Sequence, residues 1–478
     1  MCIEVMKAGH TWGGNGMNLG FTRREMLRKL GVGGSAVGMG MLAGRSSADE
    51  TSDGDPERAG FAKNIKMVPL TTQDGPSAYI EGGKVMQPAR ELPVFHTADV
   101  VVVGGGAAGF SAAVAAARTG AKVALVERYG SLGGLFTNGM VLVVIGTGEM
   151  ASGGFKLVTR GLCEEFLKRL EKMGDGAIIC RDAKVYQPTV DPEAAKVLMD
   201  TMIQEAKVDM FFHSWGVDVI QSGSAVQGVV FESKEGRKAI LAKVVVDATG
   251  DGDVYHQAGA TYNQISHAIG FVYRLGNYDR IDKTKAPHDT KLNLGSVEPL
   301  KSTRWVNNLG PKGNGLDVHD LSRIEMMHRK SAWDYVQRIR KTPGYEEVFL
   351  LQTTPQLGVR ATRLLEGVAR IDKKGAISGQ TFADAVAYSG DDSLKHPAFA
   401  IPYGALLPKT VDNVVAAGRC ISCAPDLIDR ARLIPVCMVT GHAAGVAAAL
   451  AAKAGVRPRE VPAADIQKVL REQGAYLG

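Results

Sequence analysis

The stretch VVVVGGGAAGFSAAVAAARTGAKVALVER, residues 100–128, decides the fold. Four consecutive valines, Val100 to Val103, have the composition of a strand buried on both faces. Gly104, Gly106 and Gly109 follow at the spacing G-x-G-x-x-G. Ala107 to Arg118 is small and apolar, as a helix pressed onto a sheet must be, and Ala121 to Val126 reads as a second buried strand closed by Glu127. Gly104 permits a tight turn, Gly106 lets backbone approach a pyrophosphate, and Gly109 lets the helix lie close to the strand. The helix N-terminus at Ala107 and Ala108 favours phosphate charge. Glu127 is placed to accept from ribose hydroxyls, with Arg128 beside it. The glycine spacing alone is weak, but strand, glycines, helix, strand and acid in order predict a dinucleotide site.

The rest of the chain is large enough to complete such a fold. It has 478 residues, sufficient for two or more domains and a large core. At 45% hydrophobic and 22% charged it has the composition of a globular protein. The net charge of +6 is scattered and aromatics are 6% of residues, so no basic stripe argues for nucleic acid. Six cysteines, Cys2, Cys163, Cys180, Cys420, Cys423 and Cys437, are too few for a disulfide framework.

Near the N-terminus, Thr22-Arg23-Arg24-Glu25-Met26-Leu27-Arg28 resembles a twin-arginine export signal. A glycine-rich, weakly apolar run from Leu30 to Gly44 follows, then the small residues Ser46-Ser47-Ala48. The resemblance implies the export machinery for such signals as a partner and a periplasmic or exported location. A plain basic leader is the other reading. The organisation expected is a signal region at 1–48, a linker at 49–98, and a first dinucleotide-binding part at 99–261. An inserted, irregular substrate or cap domain at 262–347 follows, then the return to the core at 348–478.

Within the core, Gly154 to Lys172 reads as helical, with Leu162, Phe166, Leu167 and Leu170 on one side. Asp191-Pro192-Glu193 carries an N-cap, a first-turn proline and an acid. Val208–His213, Val217–Ile220, Gly228–Ser233, Ala239–Leu241, Val244–Ala248 and Val411–Ala417 read as strands, and Leu321 to Arg340 as a helix. Pro435 to Lys453 is apolar enough to be mistaken for a membrane span, but its small residues read as a tightly packed core helix. No stable membrane span is therefore expected.

Two later strand-to-glycine elements decide between dinucleotides. They are Val244-Val245-Val246-Asp247-Ala248-Thr249-Gly250-Asp251-Gly252-Asp253 and Val414-Val415-Ala416-Ala417-Gly418-Arg419 ahead of the Pro435 helix. A nicotinamide dinucleotide needs only the first glycine motif, whereas FAD is longer and its ring end must be held by distant chain. A helix opening near Pro435 would turn its positive end toward the ring edge where negative charge gathers on reduction.

With these stretches the sequence resembles FAD-dependent oxidoreductases of the two-dinucleotide-fold type, distantly related to fumarate reductase and succinate dehydrogenase flavoproteins. The resemblance also rests on Gly133-Gly134-Leu135-Phe136-Thr137, on residues 356–363 and 401–408, and on Gly418-Arg419-Cys420 through Arg432 to Gly441-His442-Ala443-Ala444-Gly445. It implies an α/β fold: an FAD-binding, Rossmann-like domain of the glutathione-reductase type with a central parallel sheet, plus an inserted α+β substrate or cap domain. It implies that Glu127 holds the adenosine ribose and that Gly133, Gly134 and Thr137 lie beside the flavin. Ala248, Thr249, Gly250, Gly418, Arg419 and Gly441 complete the expected cofactor contacts. His442 stands where the family pattern leads one to expect Gln.

Only one glycine fingerprint is present, so the electron acceptor or donor is expected to be something other than a nicotinamide. The chemistry expected is hydride transfer between a small organic substrate and flavin N5, with a proton-handling side chain and cations for any carboxylate. Arg360 and Arg363 are the first candidates for such a clamp, then Arg432, because guanidinium grips carboxylate bidentately. Each could equally be a structural ion pair. His442 is a candidate for flavin tuning or proton transfer, with packing as the plain alternative, and His396 a weaker one. Cys420 and Cys423 form a C-x-x-C that could serve a thiol–disulfide flavoenzyme or, with Cys437 and His442, a metal. Small buried thiols are the plain reading, and no metal is expected. A non-catalytic electron-relay subunit is the other class held open.

Overall fold

The computed structural model describes residues 78–478, apart from 175, 183, 290 and 392. The twin-arginine segment and most of the expected linker lie outside the described residues. Tyr79–Glu81 and Lys84–Met86 form an exposed antiparallel hairpin.

From Ala89 onward the chain is one compact unit. It opens with β1 (Val94–Val103), α1 (Ala107–Arg118) and β2 (Val123–Val126), so β1 starts ahead of the boundary expected at 99. After two helices come β3 (Asp209–Phe211), β4 (Trp215–Ser222), β5 (Ala225–Ser233) and β6 (Gly236–Asp247). Ala239–Leu241 and Val244–Ala248, expected as separate strands, are parts of the single twelve-residue β6. β1, β2, β3 and the second half of β6 run parallel, with Val100 opposite Val123 and Val244, and Ala124 opposite Asp209. The first half of β6 pairs antiparallel with β5, and β5 with β4. The four valines of β1 are buried, as their composition requires.

Asp191 accepts from the Glu193 and Ala194 N–H groups and caps the helix Pro192–Glu205. The helix expected over 154–172 is shorter. Gly154–Leu157 instead pairs with Gly148–Ala151 as a hairpin, and the helix occupies Leu162–Glu171 after Gly161 at φ +72°.

The insertion is more regular than its polar composition suggests. β7 (His267–Gly276) is its central strand. Arg304–Asn308 pairs with β7 antiparallel, and so does β8 (Phe349–Thr353). α2 (Val318–Arg340), capped by Asp317, lays Ile324, Ala332, Val336 and Ile339 against Ile269, Phe271, Tyr273 and Leu275 of β7. Gly358–Val359 also pairs with β7. The sheet of the insertion therefore runs past the expected boundary at 347, because β8 and Gly358–Val359 find their backbone partners on β7.

The chain then returns to the parallel sheet. β9 (Val414–Ala416) pairs with the second half of β6. α3 (Ile434–Ala454) packs on α1. α3 is long and apolar enough to cross a membrane, yet nearly all of it is buried inside the fold.

Candidate functional site

The C-terminal ends of β1, β2 and β6 and the segment after β9 open on one slot, which encloses about 860 Å³ including its solvent-open part. This is the crevice at the carboxyl ends of parallel strands where α/β folds hold ligands. Gly104, Gly106, Ala107 and Ala108 line it from the turn between β1 and α1. Glu127 and Arg128 line it from the end of β2, and Gly133 and Gly134 from the loop beyond. Ala248, Thr249 and Gly250 enter after β6, and Gly418 and Arg419 after β9. Arg432, Ile434 and Cys437 reach it at the start of α3.

Glu127 is held by backbone. Its Oε2 accepts from the Gly105 N–H at 2.6 Å and its Oε1 from the Tyr129 N–H at 2.8 Å. Burial pushes its carboxyl up, and those two donors pull it back down. The Arg128 guanidinium lies over the rings of Tyr129 and Trp215, 4.9 and 5.5 Å from their centroids. Asp247, fully buried, accepts from the Tyr255 N–H and from Thr249 Oγ1, which holds the turn after β6 in shape. Burial pushes its carboxyl up to about 6. Arg419 Nη1 lies 2.7 Å from Asp251 Oδ1.

Several expected residues do not line the slot. Gly109 acts through packing: a Cβ there would sit 1.7 Å from the Gly104 carbonyl oxygen. Gly441, expected to touch cofactor, is instead where α3 crosses α1, and a Cβ there would meet the Ala108 carbonyl at 2.1 Å. Thr137 donates its hydroxyl to the Leu132 carbonyl and closes the glycine loop from behind. Arg363 is committed to Asp253 Oδ1 at 2.8 Å and to the Asp251 carbonyl at 3.0 Å, so the clamp expected of it is not met. His442 is a second correction. It is buried with Nε2 2.8 Å from Gln473 Oε1, and Gln473 in turn donates to Thr119 at the end of α1. His442 thus ties α3 to the C-terminal helix, facing away from the slot, because its helical position turns it toward Gly161. His396 donates its backbone N–H to Asp391.

Cys420 and Cys423 are buried and do not line the slot. Burial pushes the Cys423 thiol up to about 12 and the Cys420 thiol well above its usual range, which suppresses the thiolate that disulfide chemistry uses. Among the described residues no three His, Cys, Asp or Glu side chains gather into a metal-holding group.

Arg432 lines the slot, and Arg360, which does not, stands near enough for the Arg432 charge to oppose its own, and the structure adds neighbours that sequence reasoning missed. Arg432 bonds Asp429, and His267 of β7 lies 3.4 Å from the same carboxylate. Ser214, Trp215, Gly216, Asp253 and Gln356 line the slot as well. No spacing marked Trp215 or Gly216; they are simply where β4 begins beside the end of β1. Gln356 is carried in by the insertion, which donates to the Asn138 carbonyl through the Gln356 N–H and the Thr354 hydroxyl.

These features fit FAD. A Cβ on Gly106 would meet no atom within 4 Å, so open space lies where a pyrophosphate must approach backbone. No side chain caps the N-terminus of α1 or of α3, which leaves both first-turn N–H sets for a ligand. Gln356 Oε1 is buried with no hydrogen-bond partner among the described residues, an acceptor facing the slot without a donor. The slot's lining joins the Glu127 turn to the start of α3, as one extended cofactor demands.

The model of the FAD dependent oxidoreductase family matches residues 99–470. A dihydrolipoyl dehydrogenase from Trypanosoma brucei brucei is 53% identical over 49 residues, 10% of each chain. A thiamine thiazole synthase from Sulfolobus acidocaldarius is 34% identical over 181 residues, 35% of this chain and 60% of that one. The chain thus spans a tenth and three fifths of these curated relatives. Among solved structures, a geranylgeranyl bacteriochlorophyll reductase-like protein from Thermoplasma acidophilum is 18% identical, with 79% of this chain and 83% of that one covered at a TM-score of 0.42. The chain belongs to the FAD-dependent oxidoreductase family, and FAD is its cofactor.

Proposed function

We propose that this flavoprotein is an exported oxidoreductase that exchanges a hydride with a small organic substrate and passes its electrons to or from a partner other than a nicotinamide dinucleotide. The observation that carries this reading is the single slot running from Glu127 to the first turn of α3, built by three strand-to-glycine elements and one glycine fingerprint. FAD, when bound, supplies the hydride-accepting or hydride-donating position. The chain's own part is to hold charge and exclude water. The α1 N-terminus and Gly106 receive the pyrophosphate, and Glu127 receives the ribose. The α3 N-terminus opposes negative charge at the other end. The insertion contributes Gln356 to the lining, while Arg432, which lines the slot, and Arg360 near it supply cation charge. Export follows from the Arg23-Arg24 motif and is part of the proposal.

Purified protein is expected to be yellow and to bleach anaerobically with an organic donor from a screen of small acids, sugars and amines. NADH and NADPH are expected to leave it oxidised. Rapid stoichiometric reduction by either nicotinamide would overturn the electron-partner assignment, and correctly folded protein that takes up no flavin would overturn the whole reading. Replacing Arg23 and Arg24 by Lys is expected to hold the protein in the cytoplasm. Unchanged export of that variant would defeat the localisation.

A further inference from the structure

Beside the α3 end of the slot, Arg432 and His267 meet one acid, and Arg360 is held close by against β7. Arg432 Nε and Nη2 donate to Asp429 Oδ1 at 3.2 and 2.7 Å. His267 Nε2, from β7, lies 3.4 Å from that same oxygen. Arg360 follows Gly358–Val359, and its Nη1 donates to the Ala268 carbonyl at 3.0 Å, a partner that carries no formal charge. Burial and the positive charge of Arg432 both work against the Arg360 charge, and Asp429 offsets them only in part. Arg432 is therefore paired with Asp429, whereas no carboxylate lies within 4 Å of the Arg360 guanidinium among the described residues, and the site keeps a net positive charge even with His267 neutral. Two like charges held together in a partly buried place are unfavourable unless an anion completes them. Asp429 is a poor permanent counterion, since its side chain is 65% exposed on the short helix Ile428–Ala431. The neighbouring Arg430 faces Asp391 instead, at 3.0 Å.

We propose that Arg360 and Arg432 dock a carboxylate of the substrate, and that Asp429 holds Arg432 as an internal stand-in which the substrate carboxylate displaces. Planar guanidinium groups match the two oxygens of a carboxylate, and Asp429 carries the same chemical group, so one carboxylate is exchanged for another with no new kind of contact. The substrate class is thus an organic acid, and neutral sugars and amines are excluded at this end of the slot. The inference rests on the flavoenzyme reading above.

The test uses the flavin-loaded protein and follows its visible absorbance during titration with acetate and succinate, and with acetamide and succinamide as neutral counterparts. Both acids are expected to perturb the spectrum, more weakly as salt is raised, and the amides to leave it unchanged. Asp429→Asn is expected to tighten acid binding by roughly tenfold, since removing the competitor is worth about one charge-assisted hydrogen bond. Arg360→Gln, at a residue that does not itself line the slot, is expected to keep its flavin and weaken acid binding by about tenfold or more. A flavin-loaded protein that responds equally to acids and amides, or a D429N variant that binds acids no more tightly than the parent, overturns this proposal. A parent protein without flavin defeats the earlier reading instead, and the flavin-to-protein ratio separates the two failures.

Discussion

β1 and β7 are both ten-residue strands at the centre of their sheets, but they meet their surroundings differently. The four valines of β1 lie against apolar neighbours on both faces and join one continuous core. β7 divides its faces. Ile269, Phe271, Tyr273 and Leu275 point into the core of the insertion under α2. Val272 on the opposite face packs with Met140 and Leu142, beside the glycine loop that lines the slot. Arg274, also on that face, is buried against Glu298 and reaches Asp191, the cap of a helix in the dinucleotide-binding part. β1 is thus a strand inside one core, whereas β7 is a plate between two. The cofactor half is built by backbone fit, and the insertion is attached to it largely through side chains.

Breaking the β1 side should have the largest effect. Gly109→Ala places a methyl group against the Gly104 carbonyl in the turn on which every other element is stacked. The variant is expected to lose flavin and cooperative unfolding together, read by flavin-to-protein ratio and thermal denaturation. A G109A protein with full flavin would show that close approach of α1 to β1 is dispensable. Glu298→Gln tests the β7 side. It strands Arg274, whose remaining acid, Asp191, is 3.5 Å away. Removing one partner of a buried ion pair costs about 3–5 kcal/mol, measurable as a lower urea midpoint. Arg274→Met combined with Glu298→Leu should recover most of that loss. If the single and double variants unfold alike, the pair is not what seats the insertion.

The smallest effect concerns α3, which covers β1. Burial lowers the pKa of His442 from 6.5 to about 4. The unfolded chain therefore binds this proton more readily than the folded one. The stability that neutral His442 allows is complete above pH 6.5 and is lost as pH falls toward 4. Relative to His442→Gln, the parent should lose about 2 kcal/mol between pH 7 and pH 5. Asp247, raised to about 6, acts in the opposite sense over part of that range but is common to both proteins and cancels. Parallel stability curves for parent and H442Q would mean that the imidazole is hydrated in the folded state.

How much of this could be read from residues alone follows the same division. The valines, the three glycines and Glu127 are contiguous, and each answers to backbone geometry or to burial on both faces, so order and composition carry their meaning. Ala248–Gly250 and Gly418–Arg419 were legible for the same reason, being glycines at strand ends. The strands of the insertion were not. Arg274 interrupts the apolar pattern of β7, because one face of that strand binds charge that arrives from Glu298 and Asp191. Gly441 and His442 were read as ring-side residues because they stand on the helix that reaches the slot. Helical rotation turns Gly441 toward α1 and His442 toward Gln473, and linear order does not express that rotation.

By itself the sequence determined that strand and helix alternate, that a dinucleotide sits at the first turn, and that FAD is the dinucleotide. Those properties depend on neighbours along the chain and on glycine where backbone must pass close to backbone. Only the tertiary structure decided which charges meet. Arg360, His267 and the Asp429–Arg432 pair come from three segments far apart in the chain, and Arg363, three residues from Arg360, is taken by Asp253. An ion pair is set by proximity in space, which chain distance does not encode.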